Sequence, residues 1–538
     1  MTDRTTFDYI VIGAGSAGCV LAGRLSEDAS ASVLLLEAGG PADADESKIP
    51  AAFASLFKTR FDWNYQTTEQ KHLNGQRAYW PRMKALGGCS AMNAMIYIRG
   101  NRADYDRWRD EFGAAGWGYD DMLPYFTRAE HNSSRHDRFH GSEGPQYVED
   151  RRYTHELTTA WLQAAVDSGL PANSDFNGTE QVGAGLYQVT CRRGKRWSTA
   201  DAYLVDRPNL EVRTGALVTR IEIENGRATG VRYVERGREV LVQAGEIILS
   251  GGAINSPQLL MLSGVGPANH LREHGIEVAV DAPGVGANLH DHPVVPILTR
   301  TRNTTDLAID LATPFNLIRW QASGTGPLAS NVGEGGAFFA SDDALTAPDI
   351  QVIVAPTGFY DNGLREPVER MLTAGVTLVD VFSRGTLRLR SADPRWRPEL
   401  DPNYFDDPRD LDATVAGCRR VFEINHSPAI AKHLGSSFLP EGGDALSDEA
   451  LREHIAQWSQ TLYHPVGTCA MGDGEGAVVD PELRVRGVDG LRVADASVMP
   501  RIVRGNTNAP VIAIAEKAVD LIRGTKRHPE LITTKEQA

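Results

Sequence analysis

The chain opens on Phe7-Asp-Tyr-Ile-Val-Ile-Gly-Ala-Gly-Ser-Ala-Gly18 and continues to Ser32-Val-Leu-Leu-Leu-Glu37. An apolar strand runs into Gly13, Gly15 and Gly18, a helix-length segment follows, and a second apolar strand ends on an acid. This order predicts a βαβ unit that binds the ADP half of a dinucleotide. Gly13 permits the tight turn, Gly15 lets backbone approach a pyrophosphate, and Gly18 lets helix and strand pack closely. Ser16 and Ala17 begin the helix, whose free N–H groups and partial positive charge face the phosphates. Glu37 stands where a carboxylate takes both ribose hydroxyls, which disfavours a 2′-phosphate. The motif alone does not separate FAD from NAD.

A chain of 538 residues is long enough for more than one domain. A formal net charge of -15 disfavours nucleic acid as a partner. No apolar run has the length of a membrane span, and residues 1–12 carry no signal-peptide pattern. The expected location is cytoplasmic, with peripheral membrane association as the alternative. Five scattered cysteines, an odd number without zinc spacing, predict neither a disulfide framework nor a metal site.

The fold class expected is α/β (α+β overall). Residues 1-150, 190-294 and 456-538 are read as a discontinuous, Rossmann-like dinucleotide-binding domain. Residues 151-189 and 295-455 are read as a substrate-binding domain with a largely antiparallel sheet and helices. Asn225-Gly226 predicts a tight hairpin. Ser256-Pro257 predicts a helix start. The segment from Arg99 to Glu130 reads as helical, and 131–150 as a polar surface loop.

Tyr463-His-Pro-Val-Gly-Thr468 carries the clearest acid–base candidate. His464 precedes proline on an extended backbone, and its ordinary pKa lies near neutrality. Asn506-Thr-Asn-Ala-Pro510 follows about forty residues later, with Asn508 read as the cap of a closing helix.

These two motifs, the glycine fingerprint with Glu37, Leu86-Gly-Gly-Cys-Ser-Ala-Met-Asn93 and Gly252-Ala-Ile-Asn-Ser-Pro257 stand in an order that resembles the glucose–methanol–choline (GMC) oxidoreductases. The resemblance spans residues 7 to about 520 and is strongest to bacterial choline dehydrogenases and primary-alcohol dehydrogenases. It implies FAD held by Gly13, Gly15, Ser16, Ala17, Gly18 and Glu37 at the ADP end. Leu86, Gly87, Gly88 and Asn93 would follow the pyrophosphate–flavin track, and the Val218 backbone the adenine. Asp495 and Ala496 would lie by the ribityl and phosphates, Asn508 and Pro510 by the pyrimidine edge. His464 would be the general base and Asn508 its partner on the substrate oxygen, with hydride passing to flavin N5. Some family members bond a histidine to the flavin where this chain has Met92, so FAD is expected to be non-covalent.

The implied reaction oxidises a primary alcohol, choline-like or neutral, to the aldehyde. The electron acceptor is left open between oxygen, a quinone and a carrier. The alternatives are an oxidase and a hydroxynitrile lyase-type enzyme of the same fold. Glu334 resembles a position where relatives place an acid against an ammonium group, against the plainer reading of a solvated loop carboxylate. Phe338 and Tyr463 are candidates for an apolar substrate pocket. Adjacent residues of an extended segment point apart, so His290-Asp291-His292 is expected to be structural rather than metal-binding.

Overall fold

The computed structural model describes residues 4–302, 304, 306–307 and 313–525. Ile10, Val11 and Ile12 are apolar and buried on both faces of the strand, as the interior of a sheet covered on both sides must be. Thr6–Ile12 pairs in parallel with Val33–Glu37 on one side, Tyr9 opposite Val33, and with Arg238–Leu249 on the other, Ile10 opposite Ile247. Leu210–Thr214 and Leu491–Val493 extend the parallel part. Arg227–Glu235 and Ala216–Glu224 continue it antiparallel. Their hairpin turns on Asn225 (φ +51°) and Gly226 (φ +77°), both left-handed as a two-residue loop requires.

A second seven-stranded sheet is antiparallel throughout. Its main path runs Leu434–Leu439, Pro293–Thr301, Met371–Leu378, Ile350–Ala355, Gly335–Phe339, Gly183–Leu186, and Gln460–Thr461 also pairs with Pro293–Thr301. Helices Glu156–Asp167 and Pro408–Asn425 pack on this sheet. The chain is therefore mixed α/β.

The late helix Asn508–Arg523 lies on the early helix Ser16–Leu25. Glu516, fully buried, joins them: its carboxylate takes Arg24 Nη2 at 2.9 Å, Arg128 Nε at 2.6 Å and the Tyr203 hydroxyl at 2.9 Å.

Three expectations are corrected. Residues 131–150 are a surface loop only in part: 133–145 is irregular and mostly exposed, whereas Gln146–Asp150 is a strand beside Glu130–Asn132, with Val148 fully buried. Two polar residues of this segment are buried on Glu130, His140 at 3.2 Å and Asn132 Nδ2 at 3.0 Å, and Glu130 also pairs with buried Arg99 at 2.8 Å. Arg99 to Glu130 forms two helices, Arg102–Glu111 and Tyr119–Ala129, broken at Gly113 and Gly116, both at positive φ. The helix expected from Ser256 begins at Gly252 and contains Pro257. Proline supplies no N–H to the carbonyl four residues earlier. That carbonyl, Ala253 O, instead accepts from Thr468 Oγ1 at 2.6 Å, which ties this helix to the His464 motif.

Candidate active site

One cavity of about 600 Å³ is lined at one end by Gly13, Gly15, Ser16, Ala17 and Glu37, and also by His464, Asn506 and Asn508. The glycine turn makes the first end. An ideal Cβ on Gly18 would lie 1.8 Å from the Gly13 carbonyl oxygen, so Gly18 packs behind the cavity rather than lining it. At Gly15 the nearest atoms would be 4.0 Å away, and that side of the turn is open. Glu37 accepts from Ala14 N at 2.9 Å and Gly39 N at 2.7 Å. Burial raises its pKa, and these two N–H groups counter that. Lone pairs remain for a ligand hydroxyl.

The second wall is 86–93. Gly87 N–H donates to Ala14 O at 2.8 Å, and a Cβ on Gly88 would strike the Gly15 Cα at 2.5 Å. The two glycine pairs thus stack backbone on backbone. Gly88, Met92 and Asn93 line the cavity; Leu86 and Gly87 support it from behind. Asn93 Oδ1 is occupied by Arg196 Nη1 at 2.8 Å and Met95 N at 3.1 Å. Val218, Asp495 and Ala496 also line it, and Pro510 does not. Asp495 receives Ser256 Oγ and Ser497 Oγ, both at 2.6 Å.

His464 sits on a strained turn. Tyr463 before it has φ +69°, uncommon for a bulky side chain and a feature that clusters at functional sites. The turn is held by Asp291. Its Oδ1 accepts the His464 N–H at 2.7 Å, and its Oδ2 accepts from Thr461 Oγ1 and the Tyr404 hydroxyl. His290 Nδ1 meets Asn288 O at 2.6 Å, and its Nε2 accepts from Ile502 N at 2.9 Å. The His290-Asp291-His292 segment therefore braces both the His464 turn and the backbone at Ile502. Gly467 (φ +92°) makes room for this brace rather than for a ligand: a Cβ there would lie 2.3 Å from Asn288 O.

Burial, aided by His292 and Arg82, holds the His464 pKa well below its ordinary value. Burial takes His292 down to about 3. Both rings are neutral at neutral pH. Their Nδ1 atoms are 3.0 Å apart.

The amide beside His464 belongs to Asn506, whose Nδ2 lies 3.4 Å from His464 Nε2. Asn508 is already the first helical residue, and its Oδ1 accepts from Ser16 Oγ at 2.7 Å, linking the last helix to the glycine turn. The expectation that Asn508 partners the histidine is corrected to Asn506. The Asn506 loop is clamped by Arg501 and Arg504 on Asp380, and by Arg504 on Asp104. Although burial opposes it, Arg504, Arg501 and Arg107 hold Asp380 below its ordinary pKa.

Glu334 and Phe338 do not reach the cavity. Glu334 is fully buried, and its carboxylate accepts from His155 N at 2.8 Å, Thr158 Oγ1 at 2.6 Å and Ser330 Oγ at 2.6 Å. It secures the start of helix Glu156–Asp167, so it is neither solvated nor turned toward a substrate. Phe338 packs in the core against Phe176, ring centroids 5.2 Å apart. Tyr463 does line the cavity, with Phe53, Phe57, Val332, Ile353 and Phe359. Arg82, absent from the sequence reading, lines it too. Its Nε and Nη2 are buried without a hydrogen-bond partner among the described residues. No sequence signal marks Arg82; Asn506 stood in a motif already singled out.

Comparison with known proteins gives the family and the fold. The GMC oxidoreductase family matches in two parts, its N-terminal domain over residues 7–294 and its C-terminal domain over 381–515. An alcohol dehydrogenase [acceptor] of Pseudomonas putida is 42% identical, over 96% of this chain and 95% of the relative. The mitochondrial choline dehydrogenase of Homo sapiens is 41% identical, over 97% and 90%. Among solved structures, pyridoxine 4-oxidase from Mesorbium loti superposes with a TM-score of 0.89 at 31% identity, covering 97% of this chain and all of that one. A formate oxidase of Aspergillus oryzae RIB40, studied for FAD modification, reaches 0.91 at 28% identity, over 97% and 99%.

Proposed function

This chain belongs to the GMC oxidoreductase family, FAD-dependent enzymes acting on CH–OH donors, and we propose that it oxidises a neutral, apolar primary alcohol to the aldehyde with His464 as general base. The residues fit FAD: an open backbone cradle at Gly15, a buried acid at Glu37, and a helix start at Ser16 and Ala17 all face one cavity. FAD, when bound, supplies a hydride acceptor at N5. We assign residues 1-150, 190-294 and 456-538 to its domain and 151-189 with 295-455 to the substrate side. Met92 at the cavity wall offers a thioether where a linking histidine would be needed, so we infer that FAD is bound non-covalently.

The observation that carries the reading is a neutral imidazole and a carboxamide lining the same cavity as the nucleotide cradle. His464 Nε2, whose neighbour in the cavity is Asn506 Nδ2 at 3.4 Å, can take the hydroxyl proton, and Asn506 Nδ2 can donate to the alcohol oxygen. Holding both beside the reacting oxygen converts a chance encounter into a fixed geometry.

The substrate class follows from charge. The carboxylates lining the cavity are Glu37, Asp62 and Asp495. Asp62 is engaged by Tyr79, Lys58 N, Asn64 N and Arg82 N, and Asp495 by its serines. Glu334 lies elsewhere, while Arg82, whose Nη1 meets only Cys89 Sγ at 3.6 Å, contributes a cation whose Nε and Nη2 are buried without a hydrogen-bond partner among the described residues. A quaternary ammonium gains little there, whereas an aliphatic or aromatic alcohol matches the phenylalanine lining.

The test is anaerobic bleaching of the bound flavin by a panel of alcohols, choline included. Neutral primary alcohols are expected to reduce it fastest. Faster reduction by choline overturns the substrate class. A flavin that no alcohol bleaches overturns the oxidation itself and favours the lyase-type alternative.

A further inference from the structure

Which nitrogen of His464 carries the proton decides whether it can act as a base on the cavity side, and a line of buried groups fixes the answer. The line starts at the Val352 carbonyl. A carbonyl only accepts, so the Tyr187 hydroxyl, 2.9 Å away, commits its single hydrogen to it. What Tyr187 has left is a lone pair, and the Gln351 amide lies 3.4 Å from it. The facing atom of Gln351 must be its NH₂.

The other hydrogen of that NH₂ points to Asn506, 3.3 Å away, and so requires the Asn506 oxygen on that side. The Asn506 NH₂ is thereby turned to His464 Nε2 at 3.4 Å, which must be the unprotonated nitrogen. A neutral ring then holds its hydrogen on Nδ1, 3.0 Å from His292 Nδ1. His292 Nδ1 accepts, and the His292 proton sits on Nε2. Every link runs one way because its first member cannot donate.

The packing protects the line. Gln351 and Tyr187 are at most 1% exposed, and His292 is fully buried. Gly336 leaves space for the first link: a Cβ there would lie 1.7 Å from Val352 O and 2.6 Å from the Tyr187 hydroxyl. Neither the Gln351 Oε1 nor the His292 Nε2 has a hydrogen-bond partner among the described residues. At Gln351 Oε1 no competing contact rewards a flip of the amide.

We propose that Tyr187, Gln351 and His292 are positioning residues that hold the His464 proton on Nδ1 and leave Nε2 as the base. This rests on the reading of His464 as the catalytic base. The experiment labels the FAD-loaded protein with ¹⁵N-histidine and reads both ring nitrogens of His464, identified by the signal lost in His464→Ala. The unsubstituted protein is expected to show a pyridine-type Nε2 and a protonated Nδ1. Tyr187→Phe and Gln351→Leu are expected to move part of the population to Nε2–H. Both should also slow flavin reduction by roughly ten- to a hundredfold at unchanged flavin content, less than removal of a base outright.

A proton found on Nε2 in the unsubstituted protein overturns the proposal, with no need for any variant to fold. So does an unaltered tautomer in both variants. Failure of every alcohol to bleach the flavin would instead remove the proposed reaction while leaving the tautomer measurement to stand by itself.

Discussion

Two alanine substitutions in the glycine turn, three residues apart, are expected to fail for different reasons. At Gly18 a Cβ would sit 1.8 Å from Gly13 O and 3.0 Å from Gly13 C, both backbone atoms. Gly13 cannot retreat, because its own Cβ direction is filled by Ser250 O at 2.7 Å. The helix Ser16–Leu25 must then shift off the sheet by about an ångström, and overpacking of this kind costs roughly 1–3 kcal/mol or more. That loss appears in the apoprotein. At Gly15 the backbone is at φ −80°, which alanine adopts freely, and no protein atom lies closer than 4.0 Å to the new methyl. Gly15→Ala should leave apoprotein stability unchanged within a few tenths of a kcal/mol. The methyl instead occupies space needed by the pyrophosphate. The same 1–3 kcal/mol, charged to binding alone, weakens FAD by about 5- to 150-fold. The assay pairs calorimetric titration of apoprotein with FAD and the unfolding midpoint without it. Wild-type FAD affinity in Gly15→Ala, or a loss of apoprotein stability there equal to that of Gly18→Ala, would refute this division of labour.

His464→Ala is expected to fold and keep its flavin while alcohol-driven bleaching slows by ~10²–10⁴, read by stopped-flow absorbance. Asn506→Ala should slow the same step, whereas Asn508→Ala should mainly loosen the glycine turn through Ser16 and lower flavin content; the reverse ranking would restore Asn508 as the partner. His464 and His290 lie well below their ordinary pKa, His292 at about 3 and His454 at about 4, all chiefly through burial. Below pH 6.5 the unfolded chain binds protons these rings refuse, so their stabilisation is complete above 6.5 and declines as pH falls toward the folded values, by about 1.4 kcal/mol per ring at pH 5.5. His140, raised by its hydrogen bonds to Asp175 and Glu130 despite burial, opposes the trend. The denaturant midpoint should therefore fall between pH 7 and 5.5, and an unchanged midpoint counts against neutral buried rings. Acid precipitation should release the yellow colour into the supernatant; colour retained on the pellet would mean a covalent bond despite Met92.

The nucleotide turn was legible because its chemistry is local. Three glycines, two flanking apolar strands and a terminal acid constrain one another within thirty-odd residues, as does the Asn225-Gly226 hairpin. What escaped depends on distant partners. Glu334 reads as a loop acid until His155 and Thr158 arrive from a helix some 180 residues earlier and fold its carboxylate inward. Asn506 and Asn508 are equivalent in sequence. They separate only because the helix starts between them and turns one to Ser16 and the other to His464. Within 131–150 the solvated reading misses Asn132 and His140, whose polarity is satisfied by Glu130 in the interior. Nothing local in the His290-Asp291-His292 run announces its contacts with His464 N, Ile502 N and His464 Nδ1.

Glu516 gathers Arg24 and Arg128 across 492 and 388 residues of chain. A protein being synthesised from its amino end displays the glycine turn long before the helix that seats against it exists. Until that helix arrives, Ser16 has no Asn508 to meet, and a side of the cavity is missing. Loading of the prosthetic group is therefore a late event in this molecule's biogenesis, and a polypeptide cut short before residue 508 would accumulate as a colourless species however well its first half had folded.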